Sequence, residues 1–350
     1  MEKPEPRPPT RPIGVLAALA SGFERVAARP SLLLPPLVVD LFLWFGPRLT
    51  MRSSLHDFGA MLGRPLSGDP SWAETATAVI QALDRLADRF NLFSALSSLP
   101  AGIPSLMAGR IPLLPYAIPG LMSGRMPLSN PVGEPGSYEI ANPLHVLAIW
   151  IVIWLVGLGM GAFFFRGLVQ QVAPNAELAS GWIIWGRLIL LAVLVYAVSI
   201  ALGVVVILVA ALVGVVLPLL GAVATYFGFF ILFWFSVYVS YAPFSIVRYG
   251  FGAVRAILES VAVVSWNLLG TVGYLIVAFA LLWLSNMVWS LPDEVSWYAM
   301  LGLLGHAFVS TTLLVGSFAF YQGRREWMSE QLRLRKAGAQ GVSNGQTRSG

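Results

Sequence analysis

The sequence predicts an all-α fold: a polytopic transmembrane helix bundle of about six spans with in-plane interfacial helices. Three observations carry this reading. Of 350 residues, 57% are hydrophobic and only 11% charged, whereas soluble domains carry about 25% charged residues. Mean hydropathy is +0.75. The stretch 188–247 contains no charged residue at all, and a span needs about 20 apolar residues to cross a hydrocarbon core roughly 30 Å thick.

Taken in order, residues 1–12 hold five prolines among mixed charges, a composition expected of a disordered arm. Residues 14–29 place Val15, Leu19, Phe23 and Val26 on one helical face, away from Glu24 and Arg25. Such a stripe predicts an interfacial helix. The first span is expected at 32–45, entered through Pro35 and Pro36; at 14 residues it is short enough to be re-entrant. Its position well inside the chain argues for an uncleaved anchor rather than a secretory signal. Further spans are expected at 144–165, 188–213, 219–241, 268–290 and 297–320, with the turn of the long stretch at Gly214 and Pro218. Residues 252–266 form a second candidate interfacial helix. Aligned on the first, Gly14, Ala18 and Leu19 meet Gly252, Ala256 and Ile257, a weak internal repeat.

Orientation follows Lys and Arg in short connections. Lys3, Arg7, Arg11, Arg25 and Arg29 precede the first span. Arg166 and Arg187 lie between the second and third, and Arg248 and Arg255 between the fourth and fifth. Arg324, Arg325, Arg333, Arg335, Lys336 and Arg348 follow the last. With six spans all fifteen share one side, predicting a multi-pass protein of the cell membrane with both termini cytoplasmic. Trp44, Trp289 and Trp297 then mark outer ends, and Trp182, Trp185, Trp266 and Trp327 inner ends, as interfacial rings do.

The long connection 47–143 carries seven Arg and seven acids. Within it, 72–99 reads as an amphipathic helix with Val79, Ile80, Leu83, Leu86, Phe90 and Phe93 near one face. A tandem duplication follows. Residues 103–113 and 118–128 agree at eight of eleven positions, with prolines that forbid a regular span. This is expected to cap the outer surface or dip into it. The domain reading is therefore 1–12 arm, 13–46 interfacial helix and first span, 47–143 extracytoplasmic loop, 144–320 five-span bundle, and 321–350 basic, mostly disordered tail.

Few residues could carry chemistry. Asp40 is the one acid inside a predicted span, where a charge costs at least a few kcal/mol. His306 lies at similar depth, on a face with Gly302 and Ser310, so an Asp40–His306 pair could relay protons. The competing expectation is that Asp40 bonds Arg48, Trp or Ser groups and fixes the first span. Asn286 and Ser285 suit interhelical hydrogen bonds. Gly157, Gly159 and Gly161 make a small-residue face that fits close helix packing, within the chain or in a homo-oligomer. Asp84 and Asp88 interleave with Arg85 and Arg89 as a solvated helix face. Arg324, Arg325, Arg333, Arg335 and Lys336 form a juxtamembrane cluster suited to anionic lipid. The chain has no cysteine, which removes disulfides and thiol chemistry. His56-Asp57 and His145 lack a second ligand at metal spacing, and no H-E-x-x-H, G-x-S-x-G or P-loop occurs. No cofactor is expected, and no nucleic-acid-binding pattern is present.

The residues Tyr241-Ala-Pro-Phe-Ser-Ile-Val, Gly250-x-Gly-Ala-x-x-Ala256-Ile, Ser260 and Asn267 resemble the polytopic membrane domain attached to bacterial glycerophosphodiester phosphodiesterases and to related inner-membrane proteins. The resemblance covers about a quarter of the chain. It implies interfacial helices that precede spans. It implies no phosphodiesterase site, because no hydrolase domain accompanies it here, and the Pro-rich loop departs from the pattern. The leading expectation is a non-catalytic scaffold or accessory subunit working through membrane lipids and a membrane-protein partner. The alternatives are a permease using Asp40 and His306, and a lipid-acting membrane enzyme.

Overall fold

The computed structural model describes residues 12–63, positions 77, 80, 81, 83, 84 and 87, and residues 90–97, 100–108 and 127–346. The helices are α1 (Val15–Ala28), α2 (Leu34–Phe45), α3 (Arg52–Gly63), α4 (Pro143–Val172), α5 (Gly181–Val216), α6 (Pro218–Val239), α7 (Ala242–Tyr249), α8 (Ala253–Trp266), α9 (Leu268–Trp289) and α10 (Ala299–Gln346). The fold is an all-α polytopic bundle. Among the described residues, five helical stretches are long and apolar enough to cross a membrane, or six if the bent pair α1–α2 is counted as one span.

α10 is the central helix. Two-thirds of its most apolar stretch is buried, against 6% for α5, whose apolar side chains face outward along most of its length. α1 runs antiparallel against α10. Ile13 meets Gly323, Ala18 O meets Gly316, and Phe23 packs edge-on to Phe308 at 5.6 Å. The chain then bends by 99° at Arg29–Pro30. α2 carries it to Trp44, whose Nε1 donates to Glu294 O at 2.9 Å beside Trp297. Together α1 and α2 span from the level of Gly323 to that of Glu294. The helices expected at 14–29 and 32–45 are thus both present, joined at a sharp bend that makes them a broken span or a re-entrant pair, with α1 packed along α10. The cause is a small-residue groove. A Cβ at Gly22 would overlap the Thr312 carbonyl oxygen and lie 3.0 Å from Gly316 N, so α1 reaches a backbone approach closed to larger side chains.

The expected repeat is visible in the fold. α1 and α8 are both 14 residues long, with extended glycine N-caps at Gly14 and Gly252. Both end where the cap residue, Arg29 or Asn267, donates its N–H three residues back, to Val26 O or Val264 O. Buried positions 18, 22 and 26 correspond to 256, 260 and 264. Position 22 makes the close approach in α1. Its counterpart Ser260 accepts from Tyr241 N at 3.1 Å and donates to Tyr238 O at 2.7 Å. It thereby bridges the break between α6 and α7. Helical structure therefore continues past the expected end at 241 to Tyr249.

The hairpin α5–α6 turns at Leu217–Pro218, where Pro begins the second helix. Its arms approach through glycine: a Cβ at Gly221 would sit 2.7 Å from Gly214 Cα. α10 is helical to Gln346, correcting the expectation of a mostly disordered tail. Helix formers fill 324–336, and Gln322 Nε2 donates to Glu326 at 2.8 Å across one turn.

Two short strands, β1 (Arg48–Thr50) and β2 (Ser137–Glu139), pair in parallel with Arg48 opposite Ser137. They close the base of the long connection. Ser53 N donates to Glu139 at 2.8 Å, and the Ser53 side chain and N–H together hold the Glu139 carboxyl below its ordinary range. Asn130 Nδ2 donates to Trp44 O at 3.2 Å, tying the connection to the end of α2.

Gly22→Ala is expected to lower the midpoint of thermal unfolding in detergent, at the ~1–3 kcal/mol typical of overpacking. Gly167→Ala, in α4 with nothing within 4 Å of an added Cβ, is expected to be neutral or stabilising. Equal losses from both would refute the groove account of α1.

Candidate functional site

The long connection re-enters the bundle. The helix expected over 72–99 is represented by helical positions 77, 80, 81, 83, 84 and 87; Val79, Leu86, Arg85, Asp88 and Arg89 lie outside the described residues. Leu83 and Phe90 are buried, as the apolar stripe predicts, and Ile80 packs over Gly59 of α3. The helix ends before Asn91. The side chain of Asn91 accepts from Leu49 N and Phe93 N at 3.1 and 3.2 Å, and Leu92–Ser97 follows as a 3₁₀ helix. Asp84 sits 3.5 Å from His56 on an open surface.

Beyond the 3₁₀ helix the chain dives inward. Ala101, Ile103, Leu106, Met107 and Ala108 are at most 3% exposed and belong to the main apolar core. Residues 103–108 begin the first unit of the Pro-rich duplication; residues 109–126, which hold the rest of it and most of the second, lie outside the described residues. The glycine face of α4 receives it. A Cβ at Gly157 would lie 2.6 Å from Leu96 O, and one at Gly161 would overlap Ala101 O. The Gly-x-x-x-Gly pattern is thus occupied by loop backbone. Of the two expectations for this face, close packing within the chain is the one seen, with loop backbone against the glycines instead of a second helix. The third glycine, Gly159, instead lies against the Trp185 ring.

At the bottom of this plug is Asp40. Its Oδ1 accepts from Ser105 Oγ at 2.5 Å and from Met107 N at 3.0 Å. Ser105 Oγ in turn accepts from Ala108 N at 3.1 Å, closing a tight turn. Asp40 Oδ2 stands 4.0 Å from His306 Nδ1. Both residues are 0% exposed. The two sequence candidates are therefore brought together, and the serine partner is one the sequence left unspecified among Arg48, Trp and Ser. Arg48 lies instead in β1, where its N–H donates to Gly136 O at 2.8 Å. His306 shares its helix face with Gly302, where an added Cβ would lie 3.7 Å from Leu106, and with Ser310, whose Oγ donates to His306 O at 2.6 Å.

The other candidates fall elsewhere. Asn286 is 4% exposed, and its amide atoms have no hydrogen-bond partner among the described residues. Ser285 lines an open apolar cavity of about 280 Å³ with Phe23, Leu281, Leu284, Val309 and Leu313. Arg324 and Arg325 turn into the bundle rather than outward. The first lies 3.4 Å from Asn267 Oδ1, and the second 2.6 Å from Glu259. Arg333 and Arg335 stay exposed, Arg335 lying over the Trp266 ring. The Lys336 side chain lies outside the described residues. Among the described residues no group of three or more His, Asp or Glu could hold a metal ion.

Fold and site define a polytopic α-helical membrane protein whose long connection is latched into the bundle by an intramembrane acid. Comparison with protein-family models, with curated proteins and with solved structures finds no match.

The natural absence of cysteine permits a direct test of the latch. Met107→Cys is expected to resist a membrane-impermeant maleimide. Adding Asp40→Ala strands the Ser105 and Met107 donors, at about 1–3 kcal/mol for buried unsatisfied groups, and labelling is expected to rise severalfold. Gly161→Ala is expected to release the segment in the same way. Labelling that stays slow in both backgrounds would sink the latch.

Proposed function

We propose that this chain is a non-catalytic scaffold or accessory subunit of a bacterial inner membrane, working through lipid and membrane-protein contacts. One observation carries the reading. The acid best placed for intramembrane chemistry is fully buried and bonded to Ser105 and Met107. Its carboxylate is used to hold structure together, as buried hydrogen-bonded acids are when they replace water with fixed donors. The interhelical repeat supports the architecture implied by the resemblance to phosphodiesterase-associated membrane domains: a short helix leading into a span. The Lys and Arg distribution supports cytoplasmic termini and an extracytoplasmic 47–143 connection. A surface built by that connection is the natural place for a protein partner, since loops carried on rigid scaffolds commonly carry recognition.

A permease reading rests on a different observation, the 4.0 Å approach of His306 to the second carboxylate oxygen of Asp40. Proteoliposomes separate the two. The scaffold reading expects no proton or ion flux above lipid background, and mild-detergent purification that recovers a stoichiometric partner by mass spectrometry. Flux abolished by Asp40→Asn with the fold intact would overturn it in favour of the permease. Orientation is tested by single cysteines at positions 134 and 334. The first is expected to label from outside intact cells, the second only after permeabilisation.

A further inference from the structure

Four guanidinium groups from four different helices gather on one three-residue turn. The turn is Tyr249-Gly250-Phe251, between α7 and α8, and Gly250 takes the left-handed conformation there (φ 64). Its two rings stack with centroids 5.7 Å apart. Arg325 of α10 lies 3.8 Å from the Tyr249 ring centre and 5.6 Å from that of Phe251. Arg248 of α7 lies 4.9 Å from the Tyr249 ring, and Arg255 of α8 lies 4.0 Å from the Phe251 ring. Arg187 of α5 donates through Nη1 to Gly250 O. The carboxylates nearby do not balance them. Glu259 pairs with Arg325 at 2.6 Å. Glu326 accepts from Gln322 and adds a second negative charge, so two carboxylates stand against four guanidinium groups. Arg248 Nε is buried with no acceptor among the described residues.

Like charges packed this closely repel, and aromatic faces relieve only part of that repulsion. A site with excess fixed guanidinium groups and unused N–H donors suits a phosphodiester, which accepts bidentate arginine contacts. The setting selects a lipid over a free anion. The turn closes the uncharged stretch 188–247, and exposed apolar side chains of α5 and α8 (Ile183, Leu190, Val254 and Leu258) stand within about one helical turn of Arg187 and Arg255 in the chain. A headgroup on the arginines would leave its acyl chains beside them. We propose that Arg187, Arg248, Arg255 and Arg325 on the Tyr249–Phe251 turn form a binding site for the phosphate headgroup of an anionic membrane phospholipid. The site is distinct from the exposed arginines further along α10, and it does not depend on how Asp40 is used.

The test is native mass spectrometry of the full chain from micelles holding equal phosphatidylcholine and phosphatidylglycerol. Wild-type protein is expected to retain phosphatidylglycerol preferentially. Arg248→Gln with Arg255→Gln is expected to reduce that preference by about tenfold or more, at roughly 1 kcal/mol per near-surface charge. The charge-matched pair Arg29→Gln with Arg52→Gln, at the end of α1 and the start of α3, is expected to stay within about twofold of wild type. Lysine at 248 and 255, which keeps the charge but not the bidentate fork, is expected to restore part of the preference, which separates lost charge from misfolding. Equal retention of both lipids by wild type, or equal losses from the two glutamine pairs, would overturn the site. Displacement of the lipid by millimolar inorganic phosphate would overturn its assignment to a lipid headgroup.

Discussion

The Asp40 carboxyl group is where three parts of the chain meet. It sits on the half-span α2, accepts from the re-entrant segment at Ser105 and Met107, and stands beside His306 of the central helix. An ionisable group inside an apolar bundle is tolerated only when donors replace the water it has lost. The bundle therefore has to supply those donors, and the nearest source is the backbone of a loop. This demand explains why a stretch rich in proline and glycine is drawn among helices rather than left on the surface. Non-helical backbone at such depth is tolerated only when buried in protein.

The glycines follow from the same demand. A loop backbone can reach Asp40 only if α4 lets it pass, and Gly157 and Gly161 remove the side chains that would block Leu96 and Ala101. On the opposite side of the latch, Gly302 lets α10 close over Trp289 O and Leu106. α1 repeats the device with Gly22 against Thr312 and Gly316. Between spans in lipid there is no hydrophobic driving force, so close backbone approach and hydrogen bonds set which surfaces meet. This bundle spends its small residues on a loop and a half-span as much as on full helices.

α1 and α8 show one local device serving two positions. The same length, glycine N-cap and three-residue-back cap bond recur, yet α1 lies along α10 while α8 braces α6 and α7. Among the buried positions 18, 22 and 26 and their counterparts 256, 260 and 264, the residue type differs at one. Gly22 permits backbone contact, whereas Ser260 offers a hydroxyl to the broken backbone at Tyr238 and Tyr241. The duplicated pattern is recognisable in the chain, but its use depends on the neighbour.

The spans from 144 onward, the turn at Pro218 and the helical character of the whole were set by the sequence alone, because long apolar runs and proline act locally and need no partner to be read. Asp40 and His306 were recognisable for the same reason: a polar group inside an apolar run stands out whatever surrounds it. Only the tertiary structure decided that α1 packs along α10, that the Gly157–Gly161 face holds a loop, and that Ser105 is the partner of Asp40. Each is a contact between segments far apart in the chain. An amphipathic stripe or a small-residue face says that something packs there, and shape and hydrogen bonding across the bundle determine what does. The arginines on the Tyr249–Phe251 turn show the same limit: in sequence they mark only connections, and the meeting of four helices makes them one site.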